Sequence, residues 1–505
     1  MSGSRWFGSF ITALGAVLAI GVAAPAVTTA GGTPAAPAVA PAPPGSTTPS
    51  SADPSIRLIA PEDHIDVPRF KGQPIFVDPG IYVAATNGTF RVDAVRTDYD
   101  QPVTAAQVIG TGASRTERPL PDGLVKNFNG LPHFFHVVVR DANGKLVLHK
   151  GYTFCPSGQD ARISPDGPLN QTFPRGCVPS PFTLGEVWGI DRGWATQALG
   201  YQGIQFNGPN GKYTLTMTLS PAYAAFFHVP SADATSTVTL KVAKGTGGCQ
   251  PICPPDPGEA SSSGSRVGPL GAAPTITNPD PNTLPDLIPL PAWGITVAHQ
   301  NGKDYIDFSA SVWDKGPAQL VVEGYRRKDS NIMDAWQYFF RGSSVVGRAK
   351  VGTLHYDSAP GHEHWHFQQF ARYALLDSSK QQTYVSRKDG FCLAPTDAID
   401  MTVPNANWNP GTLGFGTVCG GADSLWTREV LPTGWADTYV QTLPGQSLDI
   451  TAVPNGIYYI EVRANPTGEL FEKETSNDQT LRKIELGGTP GHRTVTAFPW
   501  HGLNV

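Results

Sequence analysis

The sequence predicts an all-β protein, with an N-terminal immunoglobulin-like β-sandwich followed by a second β-sandwich domain that carries long loops. Apolar and polar side chains alternate with a period of two in several segments, which is typical of strands with one buried face. The chain also contains 55 glycines and 47 prolines, which favour turns over long helices. The nearest candidate for an amphipathic helix is residues 329–341, and its pattern is weak.

The strands of the first sandwich are indicated by residues 213–219 and 237–242, which both alternate with a period of two. Residues 133–154 predict a hairpin, because two apolar segments flank Asn143 and Gly144, a pair that is typical of tight β-turns. In the second domain, residues 305–313 and 458–464 show the same alternation. Both domains therefore follow the pattern of half-buried strands.

The chain of 505 residues is longer than a single hydrophobic core usually serves, so at least two folded domains are expected. Two stretches rich in Pro, Gly, Ala and Ser resemble linkers that cannot bury a core. They give the following division: a signal peptide at 1–30, a linker at 31–55, a β-sandwich domain of unknown role at 56–244, a second linker at 245–280, a second β-sandwich domain at 281–488 and a C-terminal tail at 489–505.

The N-terminus predicts export. Arg5 precedes an apolar run from Phe10 to Ala24, which is shorter than the about 20 residues that span a bilayer and is followed by small residues. We expect a signal peptide cleaved near Ala26 or Ala30 and a secreted, extracellular protein. The alternative is an uncleaved N-terminal anchor, which also places the folded part outside the cytoplasm.

The charge pattern excludes two classes of partner. The formal net charge of -5 is spread along the chain without long basic runs. Such a chain lacks the basic surface that nucleic acids or anionic membranes attract. We therefore expect no nucleic-acid partner and no membrane contact beyond the signal peptide.

Six cysteines in an exported protein indicate disulfides, although their connectivity cannot be deduced from sequence alone. Their spacing suggests Cys155 with Cys177, Cys249 with Cys253, and Cys392 with Cys419. The pair "CQPIC" could also be interpreted as two metal ligands. Its spacing differs from that of common zinc knuckles, so a small disulfide loop is favoured.

Three of the twelve histidines, His362, His364 and His366, occupy alternate positions. On a strand, alternate side chains project from the same face. Neutral imidazoles suit copper and zinc, and three protein ligands leave a coordination position open for oxygen, water or substrate. The spacing predicts a catalytic metal site but does not choose copper over zinc, and an exposed polar strand face is the alternative.

The C-terminal part resembles the lysyl oxidase family of copper amine oxidases. The resemblance runs in order through "LPDL" (284–287), "HEHWHFQQFARYALLD" (362–377), "KDGFCL" (388–393), "GWADTY" (434–439) and "LFEKETSND" (470–478). It implies copper ligands at His362, His364 and His366. It further implies a lysine tyrosylquinone cofactor made from Lys388 and Tyr439. Asp437 is a candidate general base because it lies two residues before Tyr439 and therefore on the same strand face.

The resemblance also implies a structural calcium site, for which oxygen donors are the suitable ligands. The implied ligands are Asp286, Leu287 through its carbonyl, Glu472, Glu474, Asn477 and Asp478. The alternative is a solvated acidic turn.

The sequence departs from the animal members, which carry more cysteines and a further histidine before the triplet. Here His355 lies nearby instead. The resemblance implies oxidation of primary amines, either peptidyl lysine or small amines, by O₂ to aldehydes, with release of hydrogen peroxide and ammonia. Two alternatives remain: a secreted metal-binding adhesion or matrix-binding protein without turnover, and a zinc hydrolase that uses Glu363 as its acid.

Overall fold

The computed structural model describes residues 53–158, 161–177, 179–245, 269–328, 330–358, 363–385, 388, 390–410, 416–443 and 446–503. The predicted signal peptide, most of both linkers, Cys249, Cys253 and His362 lie outside these residues. All the described residues belong to one unit, Ser51–Val505. No helix in the described ranges is long and apolar enough to cross a membrane.

The N-terminal half of the described chain is made of strands, one short helix α1 (Pro221–Phe226) and two 3₁₀ turns (Gly112–Ser114 and Gly200–Gln202). Its strands are β1 (Ser55–Ile59), β2 (His64–Arg69), β3 (Ile75–Val77), β4 (Tyr82–Thr86), β5 (Phe90–Val95), β6 (Thr104–Ile109), β7 (Thr116–Pro119), β8 (Leu131–Asp141), β9 (Leu146–Phe154), β10 (Ala161–Arg162), β11 (Gly185–Ile190), β12 (Trp194–Gln197), β13 (Ile204–Phe206), β14 (Gly211–Leu219) and β15 (Thr235–Lys244).

The C-terminal half begins with a 3₁₀ turn at Pro281–Thr283 and continues as strands. These are β16 (Leu287–Pro289), β17 (Trp293–Gln300), β18 (Lys303–Asp314), β19 (Leu320–Arg326), β20 (Ile332–Arg341), β21 (Ser344–Asp357), β22 (His364–Gln368), β23 (Ala371–Leu376), β24 (Gln382–Val385), β25 (Gly390–Phe391), β26 (Asp397–Ala398), β27 (Trp426–Leu431), β28 (Trp435–Tyr439), β29 (Ser447–Asp449), β30 (Gly456–Ala464), β31 (Gln479–Thr489) and β32 (His492–Ala497).

The predicted all-β class is confirmed. The N-terminal strands form sheets in the orders β1-β4-β12-β10, β11-β5-β6-β7, β13-β3 and β2-β15-β14-β8-β9. The C-terminal strands form β16-β18-β28-β26, with β17 and β29 also on β18, then β25-β22-β21-β20-β19-β27 and β24-β23-β30-β31-β32. The predicted hairpin is β8–β9, where Gly144 adopts a φ of 81° that suits glycine at a tight turn.

The structure differs from the sequence-based expectation in two segments of the C-terminal half. The weak helix candidate at 329–341 is wrong, because residues 332–341 form β20, which pairs with β19 and β21. Burial on both faces toward the end of this strand hides its period of two. Residues 492–497, placed in the tail by the sequence analysis, form β32 and pair with β31.

Each half has its own hydrophobic core. In the N-terminal half, Phe134, Phe135 and Phe154 are fully buried and pack ring against ring. In the C-terminal half, Tyr373 and Phe391 pack edge to face, and Phe391 also contacts Tyr439. The core of the C-terminal half therefore extends to the residues that the sequence analysis placed in the cofactor.

The two disulfides within the described residues have the predicted partners. Cys155 is bonded to Cys177, with a Cα–Cα distance of 5.8 Å, and Cys392 is bonded to Cys419, with a Cα–Cα distance of 6.0 Å. These distances lie in the usual range for disulfides.

Candidate active site

The structure brings Lys388 and Tyr439 together. Tyr439 ends β28, where it pairs with Ala310 of β18, and Lys388 lies between β24 and β25. The Nζ atom of Lys388 is 4.3 Å from the centroid of the Tyr439 ring. Two residues distant in sequence thus have their reactive groups in contact, and Lys388 is only 9% exposed.

The Tyr439 ring is held by two neighbours. Phe391 packs against it edge-on, with ring centroids 5.1 Å apart. The Tyr439 hydroxyl accepts a hydrogen bond from the Cys392 amide at 3.0 Å and donates to the Cys392 carbonyl at 3.3 Å. Burial raises the pKa of Tyr439 well above its usual range, and the Asp437 carboxyl acts in the same direction. The phenol is therefore held in place and protonated.

Asp437 lies two residues before Tyr439 on β28 and is 3% exposed. Its Oδ2 atom is buried without a hydrogen-bond partner among the described residues. Burial raises the pKa of this carboxyl well above its usual range, while the Ala394 amide and then the Lys388 side chain act in the opposite direction. A buried carboxyl next to an amine can accept and hold a proton, which is the property that a general base needs.

Glu429 is a site residue that the sequence analysis missed. It lies on β27 and is fully buried. One carboxylate oxygen accepts from the Phe367 amide at 3.2 Å and the other from the Leu393 amide at 3.0 Å. Phe367 follows His366, and Leu393 follows Cys392, so a single carboxylate connects the histidine strand to the lysine segment.

The charge state of Glu429 is set by its surroundings. Burial raises its pKa well above the usual range, the Leu393 amide lowers it, and the nearby Asp437 raises it. The sequence "TREVL" around it is typical of an ordinary strand, so no local motif identifies this glutamate as a site residue.

His364 and His366 both lie on β22, as the strand interpretation requires. Their ring centroids are 4.5 Å apart, and His366 is 5% exposed. In the sheet, His366 pairs with His355 of β21. Two adjacent imidazoles on one strand face are suitable copper donors. The third predicted ligand, His362, is outside the described residues, and within them no group of three His, Cys, Asp or Glu side chains could hold a metal ion.

The opposite face of β22 is anchored by Trp365, which is fully buried. Its indole Nε1 donates to the Gly421 carbonyl at 2.9 Å, and its amide donates to the Cys419 carbonyl at 3.1 Å. Because Cys419 is bonded to Cys392, the disulfide joins the histidine strand to the residue that holds the Tyr439 hydroxyl. The two parts of the site are therefore connected by a disulfide together with the backbone hydrogen bond from Trp365 to Cys419.

A second cluster contains most of the predicted calcium ligands. The Asn477 side-chain amide donates to Asp286 at 3.1 Å, and the Leu287 amide donates to Glu472 at 3.2 Å. Burial and then Asp478 raise the pKa of Glu472 to about 8, and burial and then Asp286 raise that of Asp478 to about 7. Both carboxyls are therefore buried close to other acidic groups.

Glu474 stands apart from the other predicted calcium ligands because it is exposed. Its carboxylate accepts from the Thr475 and Ser476 amides, and the Ser476 amide is the main cause of its lowered pKa. It therefore belongs to the rim of the cluster.

Asp314 is a further member of this cluster that the sequence analysis missed. It is fully buried at the end of β18, and its Oδ1 atom accepts from the Asp286 and Gly316 amides at 3.0 and 2.7 Å. Its Oδ2 atom and the Oδ1 atom of Asp478 are buried without hydrogen-bond partners among the described residues. Carboxylate oxygens are the ligands that calcium prefers. Within the described residues, however, these carboxyls are not arranged as a group of three or more that could hold a metal ion.

Residues 348–495 match the model of the lysyl oxidase family. No curated protein matches the chain. Enzymes of this family are copper-dependent oxidoreductases that act on amines with O₂ and use a lysine tyrosylquinone cofactor. The matched stretch includes His364, His366, Lys388, Asp437 and Tyr439. Residues 348–495 of this chain therefore form a domain of the lysyl oxidase family.

Proposed function

We propose that this chain is a secreted copper-dependent amine oxidase that makes its lysine tyrosylquinone cofactor from Lys388 and Tyr439. The observation that carries the proposal is the contact between the Lys388 amine and the Tyr439 ring, 4.3 Å from Nζ to the ring centroid. A cross-link between two side chains needs them held at contact distance before reaction, and proximity of this kind removes much of the entropic barrier.

His362, His364 and His366 would hold copper, which would supply oxygen activation beside the tyrosine. The donor set supports this assignment, because imidazole nitrogens suit copper and the rings of His364 and His366 lie next to each other, 4.5 Å between centroids. His366 is nearly buried, which limits the water around a bound ion.

The formed cofactor would supply an electrophilic carbonyl to a primary amine. Asp437 would act as the general base, since its carboxyl is buried beside Lys388 and Tyr439 and has no competing partner at Oδ2 among the described residues. The overall reaction balances as one amine, one O₂ and one water giving one aldehyde, one ammonia and one hydrogen peroxide. Both peptidyl lysine and small amines fit this chemistry.

We further propose a structural calcium ion at Asp286, Leu287, Glu472, Glu474, Asn477 and Asp478, to which Asp314 adds a buried oxygen. Burial, and then the neighbouring carboxyls, raise the pKa values of Glu472 and Asp478, and a bound cation would offset both effects. This site would connect the start of the C-terminal half, at Asp286, to the segment after β30.

The test is hydrogen peroxide release by purified, copper-loaded protein with a lysine-containing peptide and with a small diamine, together with labelling by phenylhydrazine. Peroxide release and a coloured adduct on Lys388 and Tyr439 are expected. Copper binding without adduct or peroxide would instead favour a metal-binding protein without turnover. Hydrolysis that depends on zinc and Glu363 would favour a hydrolase.

A further inference from the structure

The N-terminal half contacts the C-terminal half along residues 397–402, which we term the bridging segment. This segment contains β26, which pairs with β28 on one side. In this pairing Asp397 lies opposite Ala436, and Ala398 lies opposite Trp435. On the other side it forms parallel bridges to the N-terminal half, from Ala398 to Pro179 and from Asp400 to Gly185. The bridging segment therefore lies between the N-terminal half and the strand that carries Asp437 and Tyr439.

Ile399 makes backbone hydrogen bonds in both directions. Its amide donates to the Gly434 carbonyl at 2.9 Å, just before β28. Its carbonyl accepts from the amides of Leu184 and Gly185 at 2.6 and 3.2 Å. The Met401 amide then donates back to the Gly185 carbonyl at 2.9 Å. One short piece of backbone thus joins the two halves.

Buried side chains strengthen the same contact. Phe182 of the N-terminal half is 6% exposed and packs in a cluster with Trp313, Ile399 and Ala436, of which Ala436 directly precedes Asp437. The Thr183 hydroxyl, fully buried, donates to the Ala398 carbonyl at 2.8 Å. Burial of this kind makes the contact a packed core and not a loose surface.

The approach of the backbones is too close for a larger residue at position 185. A Cβ atom on Gly185 would lie 2.8 Å from the Thr402 hydroxyl oxygen and would also overlap the Asp400 carboxylate. Glycine is the residue that allows such an approach.

A support of this kind is needed because β26 is the edge of its sheet and has only two residues. Very short edge strands have few hydrogen bonds of their own and hold a neighbouring strand weakly. The N-terminal half supplies the contacts on the open side of the bridging segment. A small displacement of β28 would move Tyr439 relative to Lys388.

We propose that the N-terminal half is a positioning element for the cofactor strand: through the bridging segment it holds β28 so that Tyr439 stays against Lys388. This role rests on the proposed function insofar as Lys388 and Tyr439 form the cofactor. Phe182 and Thr183 are then positioning residues, because they touch neither reacting group. Removing their contacts should loosen β28 and slow cofactor formation without removing copper.

The test compares Phe182→Leu with Phe206→Leu in the full chain. Both phenylalanines are nearly buried in the N-terminal half, at 6% and 5% exposure, but Phe206 packs against Tyr213 in the N-terminal core. Thr183→Val, which keeps the volume and removes the donor to Ala398, is a second and milder probe. One readout is hydrogen–deuterium exchange of peptides covering residues 397–402 and 435–439, and the other is the rate at which phenylhydrazine-reactive cofactor appears after copper is added.

Phe182→Leu and Thr183→Val should raise exchange in both peptides and slow cofactor formation about ten- to a hundredfold, as misplacement by about 1 Å can do. Copper per chain should not change, and Phe206→Leu should match the wild type in both readouts. Wild-type exchange in both peptides of Phe182→Leu, or equal effects of Phe182→Leu and Phe206→Leu, would overturn the proposal. The exchange measurement needs no cofactor, so a wild-type protein that forms none would refute the proposed function and still leave the positioning role to be decided by exchange.

Discussion

The Lys388 Nζ atom lies 4.3 Å from the centroid of the Tyr439 ring, over a ring whose hydroxyl is fixed by the backbone of Cys392. This relationship places a nucleophilic amine at the face of an oxidisable ring. The amine and the ring are held by separate segments, which the Cys392–Cys419 disulfide and Glu429 connect to the histidine strand. Cofactor formation is therefore expected to depend on each of these connections.

The first prediction concerns the two residues of the cofactor. Lys388→Arg should abolish peroxide release, because a guanidinium stays protonated and cannot act as the adding amine. Tyr439→Phe should abolish it as well, because the ring lacks the oxygen at which oxidation starts. Peptide mapping should find the cross-linked, phenylhydrazine-labelled peptide in the wild type and in neither variant, while copper per chain is unchanged.

A matched control exists in the same domain. The Lys380 Nζ atom lies 5.7 Å from the centroid of the Tyr459 ring, and Lys380 is exposed. Lys380→Arg and Tyr459→Phe should keep wild-type activity. Retention of wild-type peroxide release in Lys388→Arg or Tyr439→Phe would show that the residue concerned is not part of the cofactor.

The second prediction concerns the copper ligands. His364→Ala should reduce bound copper from about one per chain to near zero in elemental analysis, because the remaining imidazoles no longer enclose one site. His355→Ala is the comparison, since His355 pairs with His366 in the sheet but is not among the predicted ligands. Full copper in His364→Ala, or loss in His355→Ala alone, would contradict the assignment.

The fold class was predictable because alternation with a period of two is local and survives in strands with one exposed face. The alternation did not reveal the strand at residues 332–341. There β20 lies between two other strands, and residues 337–340 are all buried. A strand buried on both faces loses its alternation. The sequence then offers no means to distinguish such a strand from a buried helix.

The site was predictable in part for the same reason. His364 and His366 are close in sequence, so strand geometry alone places them together. Lys388 and Tyr439 are far apart in sequence, and only the family resemblance paired them. Glu429 accepts hydrogen bonds from backbone amides of two distant segments, and Asp314 accepts one from the distant Asp286 amide, so the sequence near either residue does not reveal these contacts. The assignments of roles to all these residues remain predictions.

The third prediction concerns the acidic cluster in protein freed of metal by a chelator. The folded-state pKa values of Glu472 and Asp478, about 8 and about 7, lie above the values near 4 expected when unfolded. Between about pH 4 and about pH 8, the folded state therefore binds more protons than the unfolded state. The free energy of unfolding should fall as pH rises from about 4 to about 8.

Calcium should remove this loss because it replaces the protons. At a free calcium concentration a hundred times the dissociation constant, the stability gain should be about 2.7 kcal/mol. Denaturant unfolding at pH 5 and pH 8, with calcium and with chelator, measures both effects. A stability that is the same with calcium and with chelator at pH 8 would remove the calcium site.

The fourth prediction concerns Glu429, the carboxylate between the histidine strand and the lysine segment. Glu429→Gln keeps the size of the side chain but leaves one oxygen where two accepted backbone amides, so the NH₂ group faces either Phe367 or Leu393. An unpaired buried amide costs about 1–3 kcal/mol of stability. Because the lost bond joins the two parts of the site, cofactor formation after copper addition should slow more than about tenfold.

Glu461→Gln separates this effect from a general loss of stability. Glu461 is buried on β30, where it accepts from Arg372, Arg463 and Gln479, and none of these partners within the described residues belongs to the site. Its variant should lose stability, measured by denaturant unfolding, yet form the cofactor at the wild-type rate. Glu429→Gln should bind copper normally and be slow only in cofactor formation. If the two variants slow cofactor formation equally, or if Glu429→Gln forms it at the wild-type rate, the carboxylate does not position the site.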